Sequence, residues 1–120
     1  MSRDFHNLKV WQKSHQLTLA IYNVTRTFPP EEAYGMTSQM RRAAASIGAN
    51  IAEGCGRDGS ADVARFFDMA MGSASELEYH LLLARDLGMV AGPAYGRLAR
   101  DVTEIKRMLT SLTQKVRAGA

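Results

Sequence analysis

The sequence is poor in the features that mark secreted, membrane-spanning or metal-dependent proteins. It holds one cysteine, Cys55, which can form no internal disulfide and no paired metal-ligand motif, in keeping with a reducing compartment. Its three prolines, Pro29, Pro30 and Pro93, all lie outside the long periodic segments. No run approaches the ~20 uninterrupted apolar residues needed to cross a bilayer. The segment Met1-Ser2-Arg3-Asp4-Phe5-His6 lacks the apolar centre of a signal peptide. The expectation is a cytoplasmic protein with no membrane partner.

Catalytic and metal-binding patterns are scarce too. A di-iron bundle needs Glu-x-x-His pairs, and the chain has none. There is no phosphate-cradling glycine loop of the Walker type. Gly72-Ser73-Ala74-Ser75-Glu76 has the outline of a nucleophile elbow, but Ala74 occupies the nucleophile position and no strand precedes it. Glu76 and His80, one helical turn apart, read as a solvated pair, and His6 and His15 have no ligand-type partner at useful spacing. Cys55 follows a helix end, where the dipole disfavours a thiolate. We therefore expect no catalytic residue, no metal site, no cofactor and no enzyme activity.

What the chain does have is helical periodicity. From about residue 7 to 28, Val10, Ser14, Leu17, Ile21, Val24 and Phe28 alternate at four and three residues, until Pro29-Pro30 stops the run. A second helix, about 37–54, carries Met40, Ala43 or Ala44, Ile47 and Ile51, with Thr37 or Ser38 as its N-cap and Gly54 as its end. A third, about 60–87, carries Val63, Phe67, Ala70, Ala74, Leu77, Leu81 and Ala84, with Ser60 as cap and Gly88 as stop. The fourth, about 93–117, has the cleanest stripe: Leu98, Val102, Ile105, Leu109, Leu112 and Val116, before a frayable tail from Arg117 to Ala120. Four amphipathic helices with short connections predict a single all-α domain over residues 1–120, an antiparallel up-down-up-down four-helix bundle.

Residues off these stripes point outward. The third helix keeps Met69, Met71, Tyr79, Leu82 and Leu83 outside its inner row, and the first keeps Leu8, Trp11, Leu19 and Tyr22. A helix apolar nearly all round is normally covered on more than one side, so Leu8, Trp11, Leu19, Tyr22, Met69, Tyr79, Leu82 and Leu83 form a candidate self-association surface. Gly48 and Gly72, costly inside helices, read as points of close helix approach. Arg42, Asn50 and Glu53 are candidates for a partly buried polar network within or between subunits.

Charge is unevenly spread: residues 1–35 carry +1, 36–57 carry +2, 58–87 carry −4 and 88–120 carry +4. On the fourth helix Arg100 and Arg107 lie seven residues apart opposite the inner stripe, with Arg97 and Arg117 beside them. These four, joined by Arg41 and Arg42 if the second helix is exposed near its start, are the candidate nucleic-acid contacts.

Several blocks carry a family resemblance: Phe5-x-x-Leu8-x-Val10-Trp11-Gln12, Ile21-Tyr22-x-x-Thr25-x-x-Phe28-Pro29, Tyr34-Gly35-Met36, Gln39-Met40-Arg41-Arg42-Ala43-Ala44, Ser46-Ile47-x-x-Asn50-Ile51-Ala52-Glu53-Gly54 and Gly72-Ser73-x-x-Glu76-Leu77. Together they resemble the bacterial four-helix-bundle family named for the protein encoded in 23S ribosomal RNA intervening sequences. A related branch contains the accessory proteins of diversity-generating retroelements, which partner a reverse transcriptase. The resemblance implies a cytosolic homo-oligomer, typically a ring of five bundles, with nucleic-acid contact and no catalysis. Met36 stands where leucine is commoner in that family, and Met71 and Ser75 interrupt a familiar third helix. The leading reading is thus a ring-like homopentamer that binds ribosomal or retroelement RNA or DNA. Its rival is a protein-protein scaffold or adaptor with no nucleic-acid affinity of its own.

Overall fold

A computed structural model of the chain describes residues 4–119, and Ala120, the end of the tail expected to fray, lies outside them. Among the described residues the regular structure is all helical. Helices α1 (Lys9–Thr25), α2 (Met36–Cys55), α3 (Ser60–Asp86) and α4 (Gly92–Ala118) are joined by short turns, with 3-10 turns at Phe5–Asn7 and Pro30–Glu32.

Neighbouring helices run antiparallel, as their cross-contacts show. Between α1 and α2, Trp11 lies against Gly48, Thr18 donates to the Ala44 carbonyl and Arg41 reaches Thr25, so one helix descends as the other climbs. Gly54 against Phe67 and Ser46 against Ser73 repeat this pattern for α2 and α3. Glu78 to Lys106 and Asp68 to Arg117 repeat it for α3 and α4. Helix α4 closes the bundle against α1, while α1 and α3, like α2 and α4, stand diagonally across the core. The result is a rod of 46 × 24 × 20 Å.

The inner rows make the core. Ile21, Met40, Ile47, Ile51, Leu77, Leu81, Ile105 and Leu109 are fully enclosed, and burial of each such side chain contributes ~1.5–3 kcal/mol. Two polar residues of the core have partners on their own helix: Ser14 donates to the Val10 carbonyl at 2.7 Å and Thr25 to that of Ile21 at 2.7 Å.

The helix ends depart from the periodic reading in instructive ways. α1 stops at Thr25, three residues before Phe28, because proline at position 29 disfavours the helical region for its predecessor. Arg41 then takes the freed Tyr22 carbonyl. Neither Thr37 nor Ser38 caps α2; Gly35 is the cap residue and the Glu32 carboxylate accepts the Met36 N–H at 3.1 Å. Ser60 is the first residue of α3 and makes no side-chain cap bond, the cap position falling on Gly59. At the other end of α3, Gly88 adopts φ +76, and the Gly88 and Met89 N–H groups return to the carbonyls of Arg85 and Ala84, the Schellman pattern that only glycine accepts without strain. α4 stays helical through Arg117 to Ala118 and does not unravel at Arg117.

Candidate nucleic-acid interface and outer surfaces

The α3–α4 seam is charge-matched. Lys106 reaches Glu78 at 2.9 Å and Arg117 reaches Asp68, so two of the four excess negative charges of the third segment are met by α4 inside the protomer. Across the α1–α4 seam, Lys13 holds Glu104 at 3.1 Å. What remains on α4, exposed and with no carboxylate within ion-pair distance among the described residues, is Arg97, Arg100, Arg107 and Lys115. Over seven residues a helix rises ~10.5 Å, which sets the axial spacing of Arg100 and Arg107. Beside Arg107 runs a shallow groove of about 490 Å³ between α3 and α4, lined by Met71, Glu78, Thr103, Lys106, Thr110, Ser111 and Gln114. Arginines set among hydroxyl and amide groups form a surface suited to phosphate oxygens.

The other candidate contacts are placed differently. Arg117 belongs to the α3–α4 seam. Arg41 is half-buried: its Nε donates to the Thr25 hydroxyl at 2.8 Å and its guanidinium lies 4.6 Å from the Tyr22 ring centroid. Arg42 is exposed, bonded to Gln39 and facing a concavity of about 680 Å³ on the outside of α2. Because α2 and α4 are diagonal, Arg41 and Arg42 do not join the α4 row within one protomer.

Within the protomer Arg42, Asn50 and Glu53 do not form the network expected within or between subunits. Glu53 pairs with Arg57 one turn on, while Asn50 bonds the carbonyl and hydroxyl of Ser46. Ser46 in turn meets Ser73 at 2.8 Å, making a small α2–α3 polar cluster. Sequence reading missed Ser46 and Ser73 because serines in small-residue runs look like packing space. The Glu76–His80 pair is also not simply solvated: the imidazole is only 16% exposed, 3.8 Å from Glu76, and its Nδ1 has no hydrogen-bond partner.

Of the apolar residues off the stripes, Leu19, Tyr22, Met69, Tyr79 and Leu82 are exposed. Leu8, Trp11 and Leu83 are packed against the core of their own chain, so they are not free for a partner in the same way. Gly48 fits the expected close approach, since a Cβ there would stand 3.4 Å from the Trp11 indole nitrogen. Within the protomer Gly72 makes no such approach: it is exposed and a Cβ there would meet nothing within 4 Å. With Met69, Glu76 and Tyr79 it belongs to an outward row on α3, repeating at three and four residues. The tight end of the bundle differs again, with Arg57 and Arg65 each 4.6 Å from the centroid of Phe66 and paired to Glu53 and Asp62.

Among the described residues no group of three or more His, Cys, Asp or Glu side chains is placed to hold a metal ion, and no helix is long and apolar enough to cross a membrane. Over residues 6–111 the chain matches the 23S rRNA-intervening sequence protein family. The chain belongs to that family. A crystal structure of a protein of unknown function from the S23 ribosomal protein family of Bacteroides thetaiotaomicron superposes with a TM-score of 0.81 at 30% identity, covering 88% of this chain and 95% of that one. The comparison with curated proteins finds no match. Membership therefore carries the helical fold and a link by name to ribosomal RNA intervening sequences, while the solved relative is itself described as of unknown function.

Proposed function

We propose that this protein is a non-catalytic, homo-oligomeric helical bundle that binds RNA or DNA through the outer face of α4. The observation that carries the reading is the row Arg97, Arg100 and Arg107, exposed and unneutralised while the other cations of the α3–α4 seam are spent on carboxylates. Such a row makes sequence-independent phosphate contacts, and repetition by symmetry in an oligomer adds them through multivalency.

Self-association is supported by two exposed apolar patches, Leu19 and Tyr22 on α1 and Met69, Tyr79 and Leu82 on α3. They sit on diagonal helices. Two different patches on opposite corners suit a head-to-tail contact, which closes into a ring when the rotation allows. In this reading the ring is five-fold and cytoplasmic and, if the protein belongs to the retroelement branch, partners a reverse transcriptase, as the family resemblance implies.

The test is to titrate labelled RNA and DNA against wild type and an Arg100→Glu, Arg107→Glu double variant at several salt concentrations. Wild type should bind at low salt with affinity falling steeply as salt rises, and the variant should bind far less at the same oligomeric mass. Absence of wild-type binding at low salt would favour the scaffold reading, and equal binding by the variant would remove α4 as the surface.

A further inference from the structure

We propose that the outer face of α2 is a socket in which a second copy of this chain seats the outward row of its α3, with Glu76 of one copy paired to Arg42 of the next. The inference rests on the self-association reading above and names the side chains that make the contact.

Each half lacks what the other carries. Among the described residues every other carboxylate of α3 has an arginine or lysine partner: Asp62 with Arg65, Asp68 with Arg117, Glu78 with Lys106 and Asp86 with Arg85. Glu76 has only the His80 imidazole, 3.8 Å away, and is exposed in the middle of the outward row. On the outside of α2 the sign is reversed. Arg42 is exposed and held only by Gln39, while Arg41 is bonded to the neutral Thr25 hydroxyl and Tyr22 carbonyl. Glu32, in the turn before α2, gives its carboxylate to the Met36 N–H, and neither it nor Glu31 forms an ion pair with either arginine.

The shapes agree as well. The concavity beside Arg42 runs over Ala45 and Ala49, whose small side chains leave room for a protruding group. Tyr22 lines its edge and joins it to the exposed patch on α1. Tyr79 protrudes from the α3 row about 4.5 Å of helix rise beyond Glu76. It is an aromatic anchor of the kind that fills pockets at interfaces.

Register selects a second copy as the occupant. Ser46 meets Ser73 across the antiparallel α2–α3 seam at 2.8 Å. Arg42 lies four residues back from Ser46 and Glu76 three residues on from Ser73, so the two stand level along the rod to within about 2 Å. Arg41, bonded to the Tyr22 carbonyl and lying over its ring, ties Tyr22 to the same height. A copy rotated about an axis parallel to the rod therefore brings its Glu76 and Tyr79 to the height of its neighbour's Arg42 and Tyr22 with no slide. Sign, shape and height are met at once. The two surfaces lie on different helices, so the contact is head-to-tail, the type that builds a ring.

The test is light scattering coupled to gel filtration on the full chain at micromolar concentration, for wild type, Arg42→Glu, Glu76→Arg and the double variant. Each single change sets like charges against each other and should weaken assembly about tenfold or more. The double variant exchanges the charges and should return to the wild-type mass. An equimolar mixture of the two single variants should re-associate too, because every contact between unlike copies then pairs opposite charges. Such recovery excludes misfolding as the cause of the loss, and helical circular dichroism should be unchanged throughout. Single variants that keep the wild-type mass at physiological salt overturn this contact, while self-association through the apolar patches stands. Loss in the single variants with no recovery in either the double variant or the mixture also overturns it. A monomeric wild type removes the self-association reading and this contact with it.

Discussion

Gly54 of α2 lies flush against Phe67 of α3: a Cβ on the glycine would stand 3.0 Å from Cε1 of the ring and 3.0 Å from the Phe66 Cβ. Two aromatic residues at the start of α3 are thereby locked onto the last turn of α2. Gly54→Ala should destabilise the fold by roughly 1–3 kcal/mol, because overpacking outweighs the better helix propensity of alanine. Thermal unfolding would show a drop of several degrees, and an unchanged or raised midpoint would refute the tight packing.

Gly72→Ala tests the opposite situation. Nothing stands within 4 Å of its missing Cβ, so the isolated bundle should gain up to about 1 kcal/mol of helix stability. If the α3 row meets a second copy at this glycine, the same change should weaken the oligomer. Denaturant unfolding and light scattering on one variant separate the two effects.

Tyr79→Glu places a charge on the most exposed of the α3 row's large side chains, 59% accessible in the protomer. The oligomer should fall apart to a species near 13.2 kDa with its helical content intact. Leu83 is a poorer choice, since it packs against its own core. A wild type that is already monomeric at micromolar concentration would end the ring proposal.

Arg100→Gln and Arg107→Gln remove charge without reversing it. If each arginine neutralises one phosphate of duplex DNA, the slope of log affinity against log salt should shrink by about 0.9 per substitution. Unchanged slopes would place the phosphate contacts elsewhere.

The hydrogen bonds from His6 hold the Asp4 carboxyl below its ordinary value of 3.8. A carboxylate with a depressed folded pKa adds stability that is complete above its unfolded value and is lost as pH falls through the folded one. The N-terminal turn should therefore stay docked at neutral pH and loosen below 3.8, seen as a change in Trp11 emission that Asp4→Asn abolishes.

The helical rows were legible in the sequence because core burial demands apolar residues every three or four positions; Val63 through Ala84 follow that rule without a break, whereas in α4 the buried row passes from Leu109 to Thr113 and leaves Leu112 only partly buried. Proline after Phe28 and glycine at 88 likewise act locally, so they mark helix ends before any fold is known. Capping was less legible, since Gly35 and Gly59 took positions for which Thr37 and Ser60 were better suited by chemistry alone. Which cations are spent and which are free depended wholly on tertiary structure. Arg107 and Arg117 look alike along the chain, yet α3 brings Asp68 to one and no carboxylate to the other. Leu83 and Leu82 differ in the same way, one packed inward and one exposed, because helix orientation turns neighbouring residues by ~100° and only packing decides which of them meets water.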